Sequence, residues 1–230
     1  MDSLFDDSAE EIARSNAPLA SRMRPRTLEE FVGQDEAVGP ETVLRRAIEQ
    51  DRLSSLVLYG PAGTGKTSLA RVIANTTQAH FAEVSAVSSG VADLRKAIEA
   101  ARDRLAFEER RTILFVDEIH RFSKSQQDAL LHAVEDRLVV LIGATTENPF
   151  FEVNSPLLSR SRVVELRPLT DEEVGSIVRR ALTDQRGLAG AVELTPEAEQ
   201  RIIVTAGGDA RVALTTLELA ADSVPEDGSW

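Results

Sequence analysis

The segment Gly60 to Thr67 reads Gly-Pro-Ala-Gly-Thr-Gly-Lys-Thr, placed between the apolar run Leu53 to Gly60 and the amphipathic stretch Lys66 to Thr76. Nothing else in the 230 residues constrains the fold as tightly. A Gly-x-x-x-x-Gly-Lys-Thr turn requires a strand that ends at the carboxyl edge of a sheet and a helix that starts there. Small residues let backbone N–H groups wrap a string of phosphates, and the free donors and dipole of the helix start add positive potential. The expected phosphate contacts are Gly60, Pro61, Ala62, Gly63, Thr64, Gly65, Lys66, Thr67 and Ser68. Lys66 would reach the β- and γ-phosphates, and Thr67 would ligate Mg²⁺.

The remaining pattern agrees with such a sheet. Helical periodicity appears over Glu41 to Gln50, Val91 to Ala106 and Ser123 to Asp136, the last capped by Ser123 or Ser125. Between these lie strand-like runs at His80 to Ala86, Arg111 to Glu118, Arg137 to Thr146 and Arg162 to Leu169. Strands apolar on both faces and separated by helices mean a parallel sheet covered on both sides, here an α/β fold with five strands. After Pro168 three helical stretches follow with no strand between them: Thr170 to Leu182, Thr195 to Gly207 and Asp209 to Ala221. The expected organisation is an acidic flexible tail over 1–19, an α/β nucleotide-binding domain over 20–168, a small all-α lid over 169–222 and a polar tail over 223–230.

A second chemical signal is Ile113 to Glu118, whose apolar residues deliver Asp117 at a strand's carboxyl end. Asp117 would hold Mg²⁺. Glu118 would polarise an attacking water as general base. The plainer reading, an acidic cap on the next helix, loses ground because the phosphate loop is expected on a neighbouring strand. An adjacent Asp-Glu pair favours ATP over GTP, and no Asn-Lys-x-Asp guanine signal occurs. Thr145, Thr146 and Asn148 end a third strand near the same edge, either to hold water or sense phosphate, or as a simple turn closed by Asn148-Pro149. Arg160 and Arg162 precede the last strand; a fixed guanidinium stabilises charge on a γ-phosphate, whereas surface arginines usually only solvate. Arg211 sits in the first turn of the last helix, where a cation opposes the helix dipole. His80, His120 and His132 share no metal-ligand spacing; His120 follows the acidic pair, which would put it near the site, but a polar helix end is the favoured reading.

The formal net charge is −12, from 26 basic and 38 acidic residues. Residues 1–20 carry five acids and one base, and residues 212–230 four acids and no base. Two-thirds of the acidity therefore lies in or beside the tails and the last helix. Bulk electrostatic gripping of nucleic acid is excluded, while a locally basic channel in an assembled ring stays open, with Arg22, Arg24 and Arg26 among the basic groups. There is no cysteine, so thiol catalysis and zinc–thiolate sites are ruled out. The acidic start lacks a signal-peptide pattern, and no apolar run spans a bilayer. A cytoplasmic, nucleoid-associated location without membrane contact is the expectation.

Taken together, these residues resemble an AAA+ ATPase from about Pro18 to Leu219. Within that class, PLASRMRPRTLEEFVGQ, VSAVSSGVADLRKAIE, RRTILFVDEIHRFSKSQQDALL, IGATTENPFFEVNSPLLSRSRVVEL and GGDARVALTTLE are similar to the replication-associated recombination protein A family of the clamp-loader clade. The resemblance implies ATP and Mg²⁺ as cofactors, Thr146 as sensor 1 and Arg160 as the arginine finger presented to a neighbouring subunit. It also implies Arg211 as sensor 2, reaching from the lid, and Val32 and Gly33 beside the adenine.

Implied too are a homo-oligomer acting on single-stranded, gapped or forked DNA, and contact with a sliding clamp or single-strand-binding protein. Clamp-loader subunits and Holliday-junction branch-migration motors are the related alternatives, and a truncated ATP-binding module with little hydrolysis is an alternative of another class. Ala62 departs from the usual Gly-Pro-Pro-Gly start, a change that loop donors on the backbone should tolerate. GQDEAVG lacks the histidine usual after Gly-Gln, which bears on the adenine contacts. Family members continue past the lid into helices that carry oligomerisation, so the resemblance implies a fragment. Leu4-Phe5 in the acidic start resembles peptides that dock in clamp pockets, though an ordinary chain start is the plainer and favoured account.

Overall fold

Strand β1 (Leu56–Tyr59) shows how the sequence builds the sheet, because Leu56, Val57 and Leu58 are all wholly buried. Side chains alternate between faces along a strand, so burial at consecutive positions requires cover above and below. The computed structural model describes residues 17–87 and 89–223. In chain order it contains α1 (Leu19–Arg22), α2 (Asp35–Val38), α3 (Val43–Glu49), β1, α4 (Lys66–Thr77), β2 (His80–Ser85) and α5 (Val91–Glu108). Then come β3 (Thr112–Asp117), a 3₁₀ turn (Ile119–Arg121), α6 (Lys124–Glu135), β4 (Val140–Thr145), α7 (Pro149–Glu152), α8 (Ser155–Leu158) and β5 (Arg162–Glu165). Helices α9 (Asp171–Thr183), α10 (Pro196–Ala206) and α11 (Ala210–Asp222) complete it.

The described residues form two compact units, one of Pro25–Arg167 and one of the residues up to Arg24 with those from Pro168 onward. In the first, five parallel strands are ordered β2-β3-β4-β1-β5. The α/β fold and five-stranded parallel sheet read from the sequence are present. One expectation needs correcting: β3, which ends in the acidic pair, is not a neighbour of β1. Strand β4 lies between them, pairing Tyr59 with Thr145 on one side and Val116 with Gly143 on the other.

Two cores flank the sheet with the strand period of two. Ile113 and Phe115 join Leu56, Leu58, Ile142, Ala144 and the apolar faces of α3 and α4. Leu114 and Val116 face the other way, into Leu94, Ala101, Leu130 and Leu157. Each fully buried side chain of this size contributes about 1.5–3 kcal/mol. Gly143 is required at one close approach: a Cβ there would stand 2.8 Å from Ile119 Cδ1. The Ile119 side chain thereby anchors the turn after the acidic pair.

The helical unit holds α9, α10 and α11. Thr170 and Glu173 form a capping box on α9, Thr195 caps α10 with Pro196 at its first position, and Asp209 accepts from Arg211 N and Val212 N at the start of α11. Residues 20–24, assigned from sequence to the sheet domain, group instead with these helices. Leu19, placed in the acidic tail, is wholly buried, and its N–H donates to Glu218 Oε1 at 2.7 Å. Arg22 donates to Arg186 O at 3.0 Å and Gly187 O at 2.8 Å, so its guanidinium is engaged within the protein. Arg186 in turn holds the Asp184 carboxyl down to about 2 through its hydrogen bonds. The Leu4-Phe5 segment and the end of the polar tail lie outside the described residues.

Candidate active site

The phosphate loop leaves β1 at a point where side chains do not fit. Gly60 has φ 150°, and a Cβ there would lie 2.1 Å from Leu166 O. Gly65, at the helix N-cap, has φ 97°, and its Cβ would meet the Phe31 ring at 3.0 Å. Lys66 opens α4 and is nearly buried, its ammonium donating to Gly60 O and Pro61 O, both at 2.7 Å. A cation is thus held inside the loop, beside the first turn of α4, where Thr67 and Ser68 are half-buried. Pro61 and Ala62 are exposed at the tip, and the Thr64 hydroxyl donates to Pro61 O at 3.0 Å.

Gln34 is a residue that sequence reasoning missed. It is buried in left-handed backbone (φ 63°), with Nε2 donating to Arg167 O at 2.7 Å and to Thr64 O at 3.4 Å, while Oε1 accepts from Arg167 N at 3.0 Å. It ties the phosphate loop to the end of the sheet unit. Val32 and Gly33 immediately precede it, half-buried in the segment whose Phe31 abuts Gly65. The Gly33-Gln34 pair was the available signal, and it does not reveal which backbone groups the amide would meet.

Asp117 ends β3 and Glu118 follows in left-handed backbone, φ 54° and ψ 48°. Such a conformation costs a non-glycine residue about 1–3 kcal/mol and persists where surrounding structure enforces it. Because β4 intervenes, the acidic pair and the phosphate loop are separated laterally by roughly 10 Å, two strand spacings. The end of β4 fills the gap. Thr146 is exposed, with its hydroxyl 3.5 Å from Glu118 Oε2. Thr145 is wholly buried, its hydroxyl turned inward to His120 Nδ1 at 2.9 Å and to the Glu147 main chain. Asn148 is used as the cap of α7 and accepts from Phe150 N at 3.0 Å.

Thr67 and Asp117 carry oxygen ligands of the kind a hard divalent cation prefers and would be the residues to hold one. No cluster of three or more His, Cys, Asp or Glu suited to a metal occurs among the described residues. This donor set fits Mg²⁺, which typically takes one or two protein oxygens and completes its octahedron with phosphate and water.

Arg160 is not brought to this edge. It lies just before β5, whose first residue, Arg162, pairs with Leu56 at the start of β1. Gly60 lies beyond the opposite end of the same strand pair, roughly 13 Å along the strand from the level at which β5 begins, and Arg160 precedes that start. Its guanidinium donates to Pro156 O at 2.9 Å and Ser159 Oγ at 3.1 Å and pairs with Glu135 at 2.6 Å. Arg162, also exposed, begins β5 itself. Arg211 belongs to the helical unit, exposed in the first turn of α11, with its N–H on Asp209 Oδ1 at 2.8 Å.

Comparison with known proteins places this arrangement. The ATPase family associated with various cellular activities (AAA) matches residues 56–169. Replication-associated recombination protein A of Escherichia coli K12 is 50% identical over 92% of this chain and 48% of its own length. An uncharacterized AAA domain-containing protein of Mycobacterium tuberculosis is 52% identical over 94% of this chain and 48% of its own. The chain thus spans about half the length of the curated relatives it matches. Among solved structures, the Thermotoga maritima RuvB Holliday junction branch migration motor superposes with a TM-score of 0.68 at 27% identity, covering 90% of this chain and 76% of that one.

Proposed function

From a chain that belongs to the AAA ATPase family, in its replication-associated recombination protein A branch, we propose a DNA-directed motor domain that binds ATP·Mg²⁺ and hydrolyses ATP at the Gly60–Thr67 loop. The observation that supports this most directly is the convergence of Lys66, Asp117, Glu118 and Thr146 at one carboxyl edge of the sheet. In this reading Lys66 binds the β- and γ-phosphates, Thr67 and Asp117 hold Mg²⁺, Glu118 polarises the lytic water and Thr146 senses the γ-phosphate. Arg160 completes the site of a neighbouring copy, since its own phosphate loop lies at the far edge. Arg211 reports the nucleotide state from the helical lid. Val32 and Gly33 border the adenine.

The work done with this energy is replication-associated recombination and repair at stalled or gapped forks, by an oligomer on single-stranded, gapped or forked DNA. A sliding clamp and a single-strand-binding protein are the partners in that setting. The likeness to RuvB favours a second reading, a branch-migration motor. The distance between Arg160 and its own loop favours a third, in which an isolated chain binds ATP with little turnover. ATPase rate across a protein concentration series separates the third reading from the two motor readings: rate per chain rising steeply supports shared sites, and a flat low rate supports the binding module. Lys66→Ala should weaken ATP·Mg²⁺ binding by about a hundredfold, since it removes charge-assisted hydrogen bonds in a desolvated loop. Titration with a fluorescent ATP analogue checks it, and native affinity would remove Lys66 from the site.

No helix among the described residues is long and apolar enough to cross a membrane. Action on DNA, as proposed above, is what supports a cytoplasmic, nucleoid-associated location.

A further inference from the structure

We propose that His120 is a positioning residue for hydrolysis, its Nδ1–H joining Glu118 to the end of β4. The inference rests on the reading of Glu118 as the carboxylate that polarises water. His120 Nδ1 stands 2.9 Å from Thr145 Oγ1 and 3.3 Å from Glu118 Oε2. The Thr145 hydroxyl has a single proton to give, and Glu147 O lies within 3.2 Å to take it, while Glu147 N donates to the same hydroxyl oxygen at 3.0 Å. A bare Nδ1 would set its lone pair within 3.3 Å of a carboxylate oxygen, two acceptors with no proton between them. A protonated Nδ1 suits the whole cluster: the imidazole donates to Thr145 with Glu118 Oε2 close beside the same nitrogen, and Thr145 donates to Glu147 O. The arrangement therefore assigns the proton to Nδ1.

The backing of this cluster is rigid. Thr145 is wholly buried, and Ile119, between Glu118 and His120, is wholly buried against Gly143. Glu118 itself is held in left-handed backbone. Its direct link to β4, through the Thr146 hydroxyl, is long at 3.5 Å. The shorter links run through His120. Thr146 follows Thr145 directly, so the residue read as the γ-phosphate sensor and the Glu118 carboxylate are referred to the same fixed end of β4 through the imidazole. His120 thereby couples phosphate sensing to the aim of the base.

The test has two arms. Steady-state ATPase and fluorescent-nucleotide binding are measured on the native chain, Glu118→Gln, His120→Ala and His120→Asn, whose amide nitrogen stands near the Nδ1 position. His120→Ala should lower kcat by about tenfold to a hundredfold with KM and nucleotide affinity unchanged, as removing an outer-shell partner does elsewhere. His120→Asn should recover most of that loss. Adding His120→Ala to Glu118→Gln should cost nothing further. In the second arm, ¹⁵N NMR of the native chain should show His120 protonated at Nδ1, a readout independent of turnover. Turnover in His120→Ala within about twofold of native, an asparagine variant as slow as the alanine one, or a bare Nδ1 would overturn the proposal. Absence of turnover in the native chain would instead overturn the ATPase reading of Glu118.

Discussion

Arg160→Ala should lower ATP turnover by about 10³–10⁵-fold, the range for losing a guanidinium that stabilises a phosphoryl-transfer transition state. Affinity of the separate chain for ATP·Mg²⁺ should stay unchanged. The expectation follows from where the strand register puts the residue. Arg162 pairs with the first residue of β1 and the phosphate loop follows the last, so Arg160 lies away from its own site, and in the proposed reading it serves the site of a neighbour. It is nonetheless oriented. Pro156 O and Ser159 Oγ hold one nitrogen, and Glu135 pairs with the other. The pair with Glu135 is largely exposed, and exposed pairs contribute about 0–1 kcal/mol. The guanidinium is therefore arranged in advance yet released at small cost to a phosphate. Arg160→Lys should recover little, because a point charge cannot reproduce the planar fork. Both are checked by ATPase assays at a concentration where the native rate has levelled off. A variant rate within about tenfold of native would exclude the finger role.

Glu118→Gln should reduce turnover by about 10²–10⁴-fold, the usual worth of a general base, while ATP·Mg²⁺ binding persists. The amide has nearly the shape of the carboxylate and fits the same strained backbone, so the loop and the metal ligands stay in place. What it lacks is the negative charge that draws a proton from water. Single-turnover kinetics beside equilibrium binding make the separation: tight binding with a stalled chemical step supports the assignment. Lost binding, or unimpaired chemistry, contradicts it.

These residues were legible in the sequence to different depths, for physical reasons. The phosphate loop was readable because the need for glycine at Gly60 and Gly65 is imposed locally by backbone angles and by atoms a Cβ would strike. Burial on both faces of Leu56 to Leu58 and Leu114 to Val116 likewise announces itself as unbroken apolar runs. The strand order did not, because periodicity carries no information about pairing partners, and β4 enters between β1 and β3. Long-range polar contacts were also silent. Nothing near Leu19 indicates that its N–H meets Glu218, and nothing near Gln34 indicates a bridge to Arg167. His120 looked like a polar helix end. Its significance depends on the Thr145 hydroxyl turning inward while Thr146 turns outward, a choice made by the last residues of β4.

The most direct test of a shared site is to mix Arg160→Ala chains with Glu118→Gln chains and measure ATP hydrolysis. Each variant alone should be nearly inactive. In the mixture, an Arg160→Ala chain keeps its own base and receives a finger from its Glu118→Gln neighbour, so a substantial part of native turnover should return. A mixture no more active than its two components would contradict hydrolysis at a site completed in trans.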